Sequence, residues 1–396
     1  MPSTDESWGD TQPNVEFPGA DFGNRDTYTE VTHTGWLQRI MGSFMGAVFG
    51  VLLFLCSFGL LYWNEGRLDI SSVAKTAVEV PANQPAPAQV GKLVAVTGPM
   101  TTDETLGDAY FVPGNYVAVR REAQMFAWEE ESHTETKTNA GGSETKVTTY
   151  SYSTQWTSSP ENSSSFKRGG HHNPQMAVKG ATLRAKDATV GAFGLEMADV
   201  DLPAFKSVTL DADNTQSGRV SGEYLYLNDR PSSPRVGDIR LSYDVVPSGQ
   251  KVTLFGQLDA ADHVATYTHK SGDTLYRAVN GTKADAVETM HGEHVMMTWI
   301  LRAVGFGMMW LGMGLVLEPL NVFLDVLPFL GGLGRGLTGF GTFLVAALLS
   351  VVTIIVSVVL HNLFAMIAIG LVTIVVGAMI FSKKGARTAR RVVPQA

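Results

Sequence analysis

Two adjacent histidines, His171 and His172, stand before Asn173-Pro174 and are the residues best suited by type to chemistry. Imidazole titrates near neutrality and ligates metals, so such a pair suits proton transfer or metal binding. The spacing argues against a shared site, because neighbouring side chains in a strand point to opposite faces. A second pair, His291-Gly-Glu-His294, lacks the spacing of the HExxH zinc motif. The sole cysteine, Cys56, lies in an apolar run far from both. The nucleophile elbow, the P-loop and the dinucleotide fingerprint are absent. Two readings follow. One is a centre built from His171, His172 and the acids around Asp273, and the other, which is favoured, is a structural loop. No catalytic, metal-binding or cofactor-binding residue is assigned, and no cofactor is expected.

Other residues speak of membranes. Arg302 lies inside an apolar segment, where a charge must snorkel, pair or line a cavity, and snorkelling or contact with lipid phosphate is expected ahead of a transport role. Gly42, Gly46 and Gly50 recur every four residues, baring one helix face for close packing within a bundle or between copies. Asn162-Ser-Ser and Asn280-Gly-Thr fit the glycosylation sequon, which matters only in a eukaryotic host.

The elements that must position these residues begin with four apolar segments. A spanning helix needs about 20 residues for about 30 Å of hydrocarbon. Residues 40–63, 296–317, 337–360 and 361–381 meet that length, and Arg302 is their one charge. The first starts too late for a secretory signal. Trp36, Trp63 and Trp299 sit at segment ends, where indole favours the headgroup level, whereas Trp310 lies mid-span and is expected against a neighbour. The tail 382–396 is basic, with Lys383, Lys384, Arg387, Arg390 and Arg391, and the positive-inside rule places it in the cytosol. Four crossings then return the N-terminus to the cytosol and put residues 64–295 on the far side, in periplasm or lumen. The N-terminal tail, 1–39, fits poorly, because its acids outnumber Arg25 and Arg39. It lacks apolar periodicity and is read as disordered.

Between Asn64 and Thr298 acidic residues outnumber basic ones, which argues against nucleic acid as a partner. Residues 64–295 read mainly as strands. The clearest is Lys146 to Trp156, with Tyr150, Tyr152, Thr154 and Trp156 on one face at period 2. Phe126 and Trp128 alternate upstream, and Asn139-Ala-Gly-Gly-Ser supplies a turn, so a long hairpin of 124–137 with 144–157 is predicted. Further strands are predicted at 92–96, 116–119, 219–227, 238–246, 251–258 and 274–279. Gly-Asp at 107–108, 237–238 and 272–273 marks either a weak repeat or coincident turn chemistry. Residues 81–89, PANQPAPAQ, read as a linker or extended edge. Between the second and third spans, Leu320, Phe323, Leu324 and Leu327 share a helical face, with Pro319 at its start and Pro328 and four glycines after it. Residues 318–336 are therefore expected as an interfacial amphipathic helix, the alternative being a plain linker.

The order of short motifs resembles the transmembrane protein 43 (LUMA) family. Asn64-Glu65-Gly66-Arg67 closes the first span, and Val96-Thr-Gly-Pro99 follows. Then come Arg120-Arg121, Met125-Phe-Ala-Trp128, and Tyr150-Ser-Tyr152-Ser-Thr-Gln-Trp156. Downstream lie His172-Asn173-Pro174, Gly237-Asp238-Ile-Arg240, Lys270-Ser-Gly-Asp273-Thr-Leu275 and Thr298-Trp299-Ile-Leu-Arg302-Ala303. Each is weak alone, but their shared order with one plus three spans is specific. The resemblance implies a membrane protein with four transmembrane α-helices and a large β-rich (α+β) extracytoplasmic domain. In animals the family sits in the endoplasmic reticulum and inner nuclear membrane and is linked to membrane organisation, oligomerisation and binding of lamins and emerin. It carries over no catalytic residue. The longer acidic tail and Leu360-His-Asn-Leu363, which lacks a basic-proline turn, depart from the pattern. The Ala- and Gly-rich spans and low lysine content favour a bacterial source, where the inner membrane would be the site and the animal partners would not exist. The function expected is a non-enzymatic membrane scaffold that self-associates and engages lipid and other membrane proteins. The alternative is a membrane-anchored enzyme acting on lipid or envelope material.

Overall fold

The computed structural model describes residues 26–228, 230–326 and 331–361. Four helices organise it: α1 (Trp36–Gly66), α2 (Ile70–Lys75), α3 (Lys283–Leu324) and α4 (Gly331–His361). Three helical stretches are long and apolar enough to cross a membrane, at Trp36–Lys75, Lys283–Leu324 and Arg335–His361. The fourth expected span lies beyond residue 361, outside the described residues, as do Lys383 and Lys384. The helix α1 is exposed along Met41, Phe44, Val48 and Leu52, as suits a surface meeting lipid.

The β-rich domain holds a seven-stranded and an eight-stranded sheet. At the centre of the first, Leu93–Thr101 pairs antiparallel with Gln250–Leu258. Alternation along these strands sends Val94, Val96, Val252 and Leu254 into one core. Leu93, Ala95 and Phe255 point the other way, onto Val73 and Ala74 of α2 and Ala286, Val287 and Met290 of α3. Fully burying a side chain of this size contributes about 1.5–3 kcal/mol, so the first turns of α3 belong to the domain core. A Thr282–Asp285 capping box starts that helix. Thirteen residues later the same helix enters the apolar segment that begins at Met296. The domain and the second span are thus joined by one continuous rod.

The larger sheet is built around the predicted hairpin. Its outgoing strand, Tyr116–Thr138, absorbs the separate strand expected at 116–119, and its return strand is Glu144–Thr157. At its base the outgoing strand pairs with Ile239–Pro247 over a core of Met125, Leu225, Leu241 and Tyr243. The strand expected at 219–227 is two short ones, because Gly222 turns the chain at positive φ between Arg219–Ser221 and Tyr224–Tyr226.

Two expectations are corrected. The tail is not wholly disordered: Thr27–Thr34 forms a tail strand that pairs antiparallel with Glu144–Ser151, and α1 already starts at Trp36. Thr, Tyr and Val supply β propensity there, although no clean apolar alternation marks it. Among the described residues no separate helix lies over 318–336 either. Pro319 lies inside α3, which runs on to Leu324, and Gly331 and Gly332 open α4. A proline inside a spanning helix is tolerated where neighbours hold the freed turn. Here Asn321 binds Glu318 and Thr338, and Trp36 Nε1 donates to the Val322 carbonyl at 3.2 Å.

Candidate functional site

Residues singled out by the sequence gather at three joints. The first lies where the helices meet the domain. Glu65 accepts a bidentate pair from Arg302 at 2.8 and 2.8 Å, and only 5% of the Glu65 side chain is exposed. The guanidinium also lies 4.8 Å from the centre of the Trp299 ring. Asn64 Nδ2 donates to the Thr298 carbonyl, Arg67 reaches Thr298 Oγ1, and Arg67 stacks over Trp63. Snorkelling or contact with lipid phosphate is the expectation for Arg302; instead it pairs with Glu65, a residue of another signature motif. Below this clasp α1 crosses α3 at Gly50 and Gly312. A Cβ on Gly50 would stand 2.7 Å from the Gly312 carbonyl oxygen. Gly46 only approaches Leu315 at 4.0 Å, and Gly42 has nothing within 4 Å. Mid-span, Trp310 packs against Phe306 and Phe343, as expected.

The second joint lies at the opposite end of the helices. Arg39 of α1, with 6% of its side chain exposed, pairs with Asp325 at 2.8 Å and with Glu144 at 3.1 Å. It also donates to the Gly142 carbonyl, and Arg335 of α4 joins Asp325. Trp36 closes over Gly142, where a Cβ would meet its ring at 2.5 Å. The hairpin tip therefore touches the start of α1, and Arg39 links it through Asp325 to the end of α3 and the start of α4. Sequence reasoning missed this cluster. Its one signal was Arg39 standing just before an uncharged span with acids at Glu144 and Asp325 near element ends.

The third joint is the base of the hairpin, and it contains the histidines. His171 is buried, its Nε2 2.6 Å from Asp26 Oδ2 and its ring stacked 4.2 Å from Tyr152. Its Nδ1 is buried with no hydrogen-bond partner among the described residues. Arg168 also pairs with Asp26. Tyr152 donates to Glu130 at 2.6 Å, and burial with that carboxylate pushes its phenol up to about 12. His172 is exposed and 3.5 Å from Ser163. Asn173 takes the place of a strand: its Oδ1 accepts from Trp128 N and its Nδ2 donates to the Trp128 carbonyl. Pro174 packs on Gly237, which has φ of +97 and donates to the Phe126 carbonyl. Asp238 accepts from Arg235 N. Arg240 lies over both Trp156, at 4.7 Å, and Tyr224, at 3.8 Å. Tyr150 stacks near Tyr28 of the tail strand.

The remaining candidates stand apart. Asp273 is held by Ser271 inside a separate two-stranded ribbon and does not join the histidines. His291 pairs with Asp69 near α2. Asp108 accepts from Tyr110 N, Phe111 N and Tyr243 and pairs with Arg121, whereas Asp238 and Asp273 each hold a local turn. The three Gly-Asp pairs thus hold unlike turns. Of the sequon residues, Asn162 is exposed and binds Ser164, and Asn280 accepts from Gln250. No group of three His, Cys, Asp or Glu suited to a metal ion occurs among the described residues.

A family model described as Transmembrane protein 43 matches residues 125–364. Transmembrane protein 43 of Homo sapiens is 32% identical over 346 residues, covering 81% of this chain and 85% of that protein. The chain belongs to the transmembrane protein 43 family. A Pongo abelii relative is also 32% identical, over 348 residues, and a Drosophila melanogaster homolog is 27% identical over 283, covering 67% of this chain and 75% of its own. No solved structure matches. The stretch matched by the family model holds the hairpin from Met125 onward, the Asn173 bracket and Arg302. Glu65, the partner of Arg302, precedes it.

Proposed function

We propose that the chain is a non-enzymatic integral membrane scaffold that self-associates and organises lipid and other membrane proteins. The observation that carries this reading is the unbroken α3, whose first turns lie in the domain core and whose last turn is tied to Trp36 and Arg39. A domain fixed rigidly to its spans holds partners at set positions, which is what a scaffold requires. The motif residues are spent on joints: Arg302 on Glu65, Asn173 on the hairpin backbone, and Arg240 between rings. An apolar groove of about 460 Å³ between Phe54, Met313, Leu317 and Val345 fits a lipid chain. The domain faces periplasm in a bacterium, or lumen in a eukaryote, with the Trp36 end of the helices in the cytosol. The test is to co-express two differently tagged copies and purify through one tag. Recovery of both supports the scaffold, and recovery of one alone counts against it.

A second reading, an enzyme acting on lipid or envelope material, draws on His171, whose buried pair with Asp26 and unpartnered Nδ1 resemble half of a proton relay. If His171→Gln lowers thermal stability without altering any hydrolysis of lipid by the purified chain, this reading loses its support.

A further inference from the structure

A second groove, of about 330 Å³, lies between α3 and α4 alone. Its wall is apolar, with Leu311, Gly314 and Leu315 of α3, and its end is polar, with Glu318 of α3 and Arg335 of α4. The rise of α3 sets its depth. Glu318 comes 22 residues after Met296, where the apolar segment begins, which is about 33 Å at 1.5 Å per residue. The hydrocarbon core is about 30 Å thick. Glu318 therefore stands where the headgroups begin, at the end of the bundle where Trp36 meets the Val322 carbonyl. The wall of Leu311 and Leu315 lies within the hydrocarbon.

The polar end holds one charge of each sign, and neither is fully met. Glu318 is half-buried and takes only the Asn321 amide, at 3.3 Å. No cation reaches it among the described residues, because Arg39 and Arg335 both go to Asp325. Arg335 gives Nη2 to that carboxylate, and its Nε is buried with no hydrogen-bond partner among the described residues. A carboxylate at the edge of hydrocarbon is costly unless something neutralises it. The matching ligand brings a cation with N–H donors to Glu318, an anionic acceptor to Arg335 Nε and an apolar chain to the wall. A zwitterionic phospholipid with a primary ammonium has those three parts. An anionic headgroup would meet Glu318 with like charge. A choline headgroup has no N–H to donate and is recognised by aromatic cages. The one aromatic ring lining this groove, Trp310, packs against Phe306 and Phe343, and its Nε1 donates to the Gly339 carbonyl.

We propose that this groove binds an ethanolamine phospholipid from the leaflet at the Trp36 end. Its ammonium sits on Glu318, its phosphate on Arg335 Nε, and one acyl chain lies along Leu311 and Leu315. The proposal deepens the lipid half of the scaffold reading and rests on it, and is independent of self-association.

Photolabelling tests it. The full chain in mild detergent is mixed with phosphatidylethanolamine that carries a photoreactive acyl chain, illuminated and digested, and the labelled peptides are identified by mass spectrometry. The label is expected on the peptide holding Leu311 and Leu315. Unlabelled phosphatidylethanolamine should displace it at a concentration about tenfold lower than phosphatidylcholine with the same chains, the factor that one charged hydrogen bond supplies. Glu318→Gln keeps the size of the side chain and an acceptor for Asn321 but removes the charge, and it should erase that preference. Equal displacement by the two lipids, or a preference that survives Glu318→Gln, overturns the headgroup site and leaves lipid binding standing. If the peptide stays unlabelled while other parts of the spans react, another segment fills the groove, either residues 363–381 followed by Lys383 or a second copy, and lipid is overturned as the occupant. If no span is labelled at all, the lipid half of the scaffold reading falls with it.

Discussion

Gly50→Ala probes the crossing that sets the helix bundle. The added methyl would lie 2.7 Å from the Gly312 carbonyl oxygen, 2.7 Å from Leu315 Cβ and 3.0 Å from Val316 N. Two of these are backbone atoms, which no rotamer change can move, so α1 and α3 must separate. Overpacking of this kind costs about 1–3 kcal/mol. Alanine's higher helix propensity offsets up to about 1 kcal/mol of that. The net expectation is a loss of about 1–2 kcal/mol, or a fall in Tm of about 1–2 °C for a chain of this length. Gly42→Ala is the control, because nothing lies within 4 Å of its added methyl. It carries only the propensity gain, and its Tm should hold or rise. Thermal unfolding of both variants in one detergent, followed by circular dichroism, makes the comparison. Equal melting temperatures, or a more stable Gly50→Ala, would refute the crossing and with it the bundle as described.

Three further outcomes follow. Glu65→Ala leaves Arg302 without its buried partner, a change that costs about 3–5 kcal/mol, and thermal unfolding should show a larger loss than for Gly50→Ala. Asn173→Ala frees the Trp128 N–H and carbonyl and should cost about 1–3 kcal/mol, with faster hydrogen exchange at the Trp128 amide and little change elsewhere. The phenols of Tyr152 and Tyr276 are both pushed up to about 12, chiefly by burial. Their contribution is complete below pH 10, the ordinary phenol value, and is lost as pH rises toward 12. Alkaline unfolding should therefore set in across that window, and Tyr276→Phe should reduce its steepness. An unchanged pH profile in that variant would count against the burial of the phenol.

The legible parts of this fold were those written in local pattern. Period-2 alternation from Lys146 to Trp156 and the Asn139 turn located the hairpin to within a residue on the return strand. Uncharged length located the helices α1 and α4. The tail strand was not legible, because TYTEVTHT has no apolar face and its stability comes from a partner more than a hundred residues away. Pro319 misled because a proline that opens a helix and one tolerated inside a spanning helix look alike without the contacts at Asn321. At the site, motif order identified Glu65, Arg302 and Asn173 without indicating that the first two pair across α1 and α3. The cluster of Arg39, Glu144 and Asp325 lay outside any motif and needed the fold to bring it together.

The most direct test of the scaffold account is the mass of the full chain in lipid nanodiscs or mild detergent by light scattering, with the lipid or detergent contribution subtracted. The account predicts a discrete multiple of the 42.7 kDa chain that persists on dilution. A single chain mass at high concentration would contradict it.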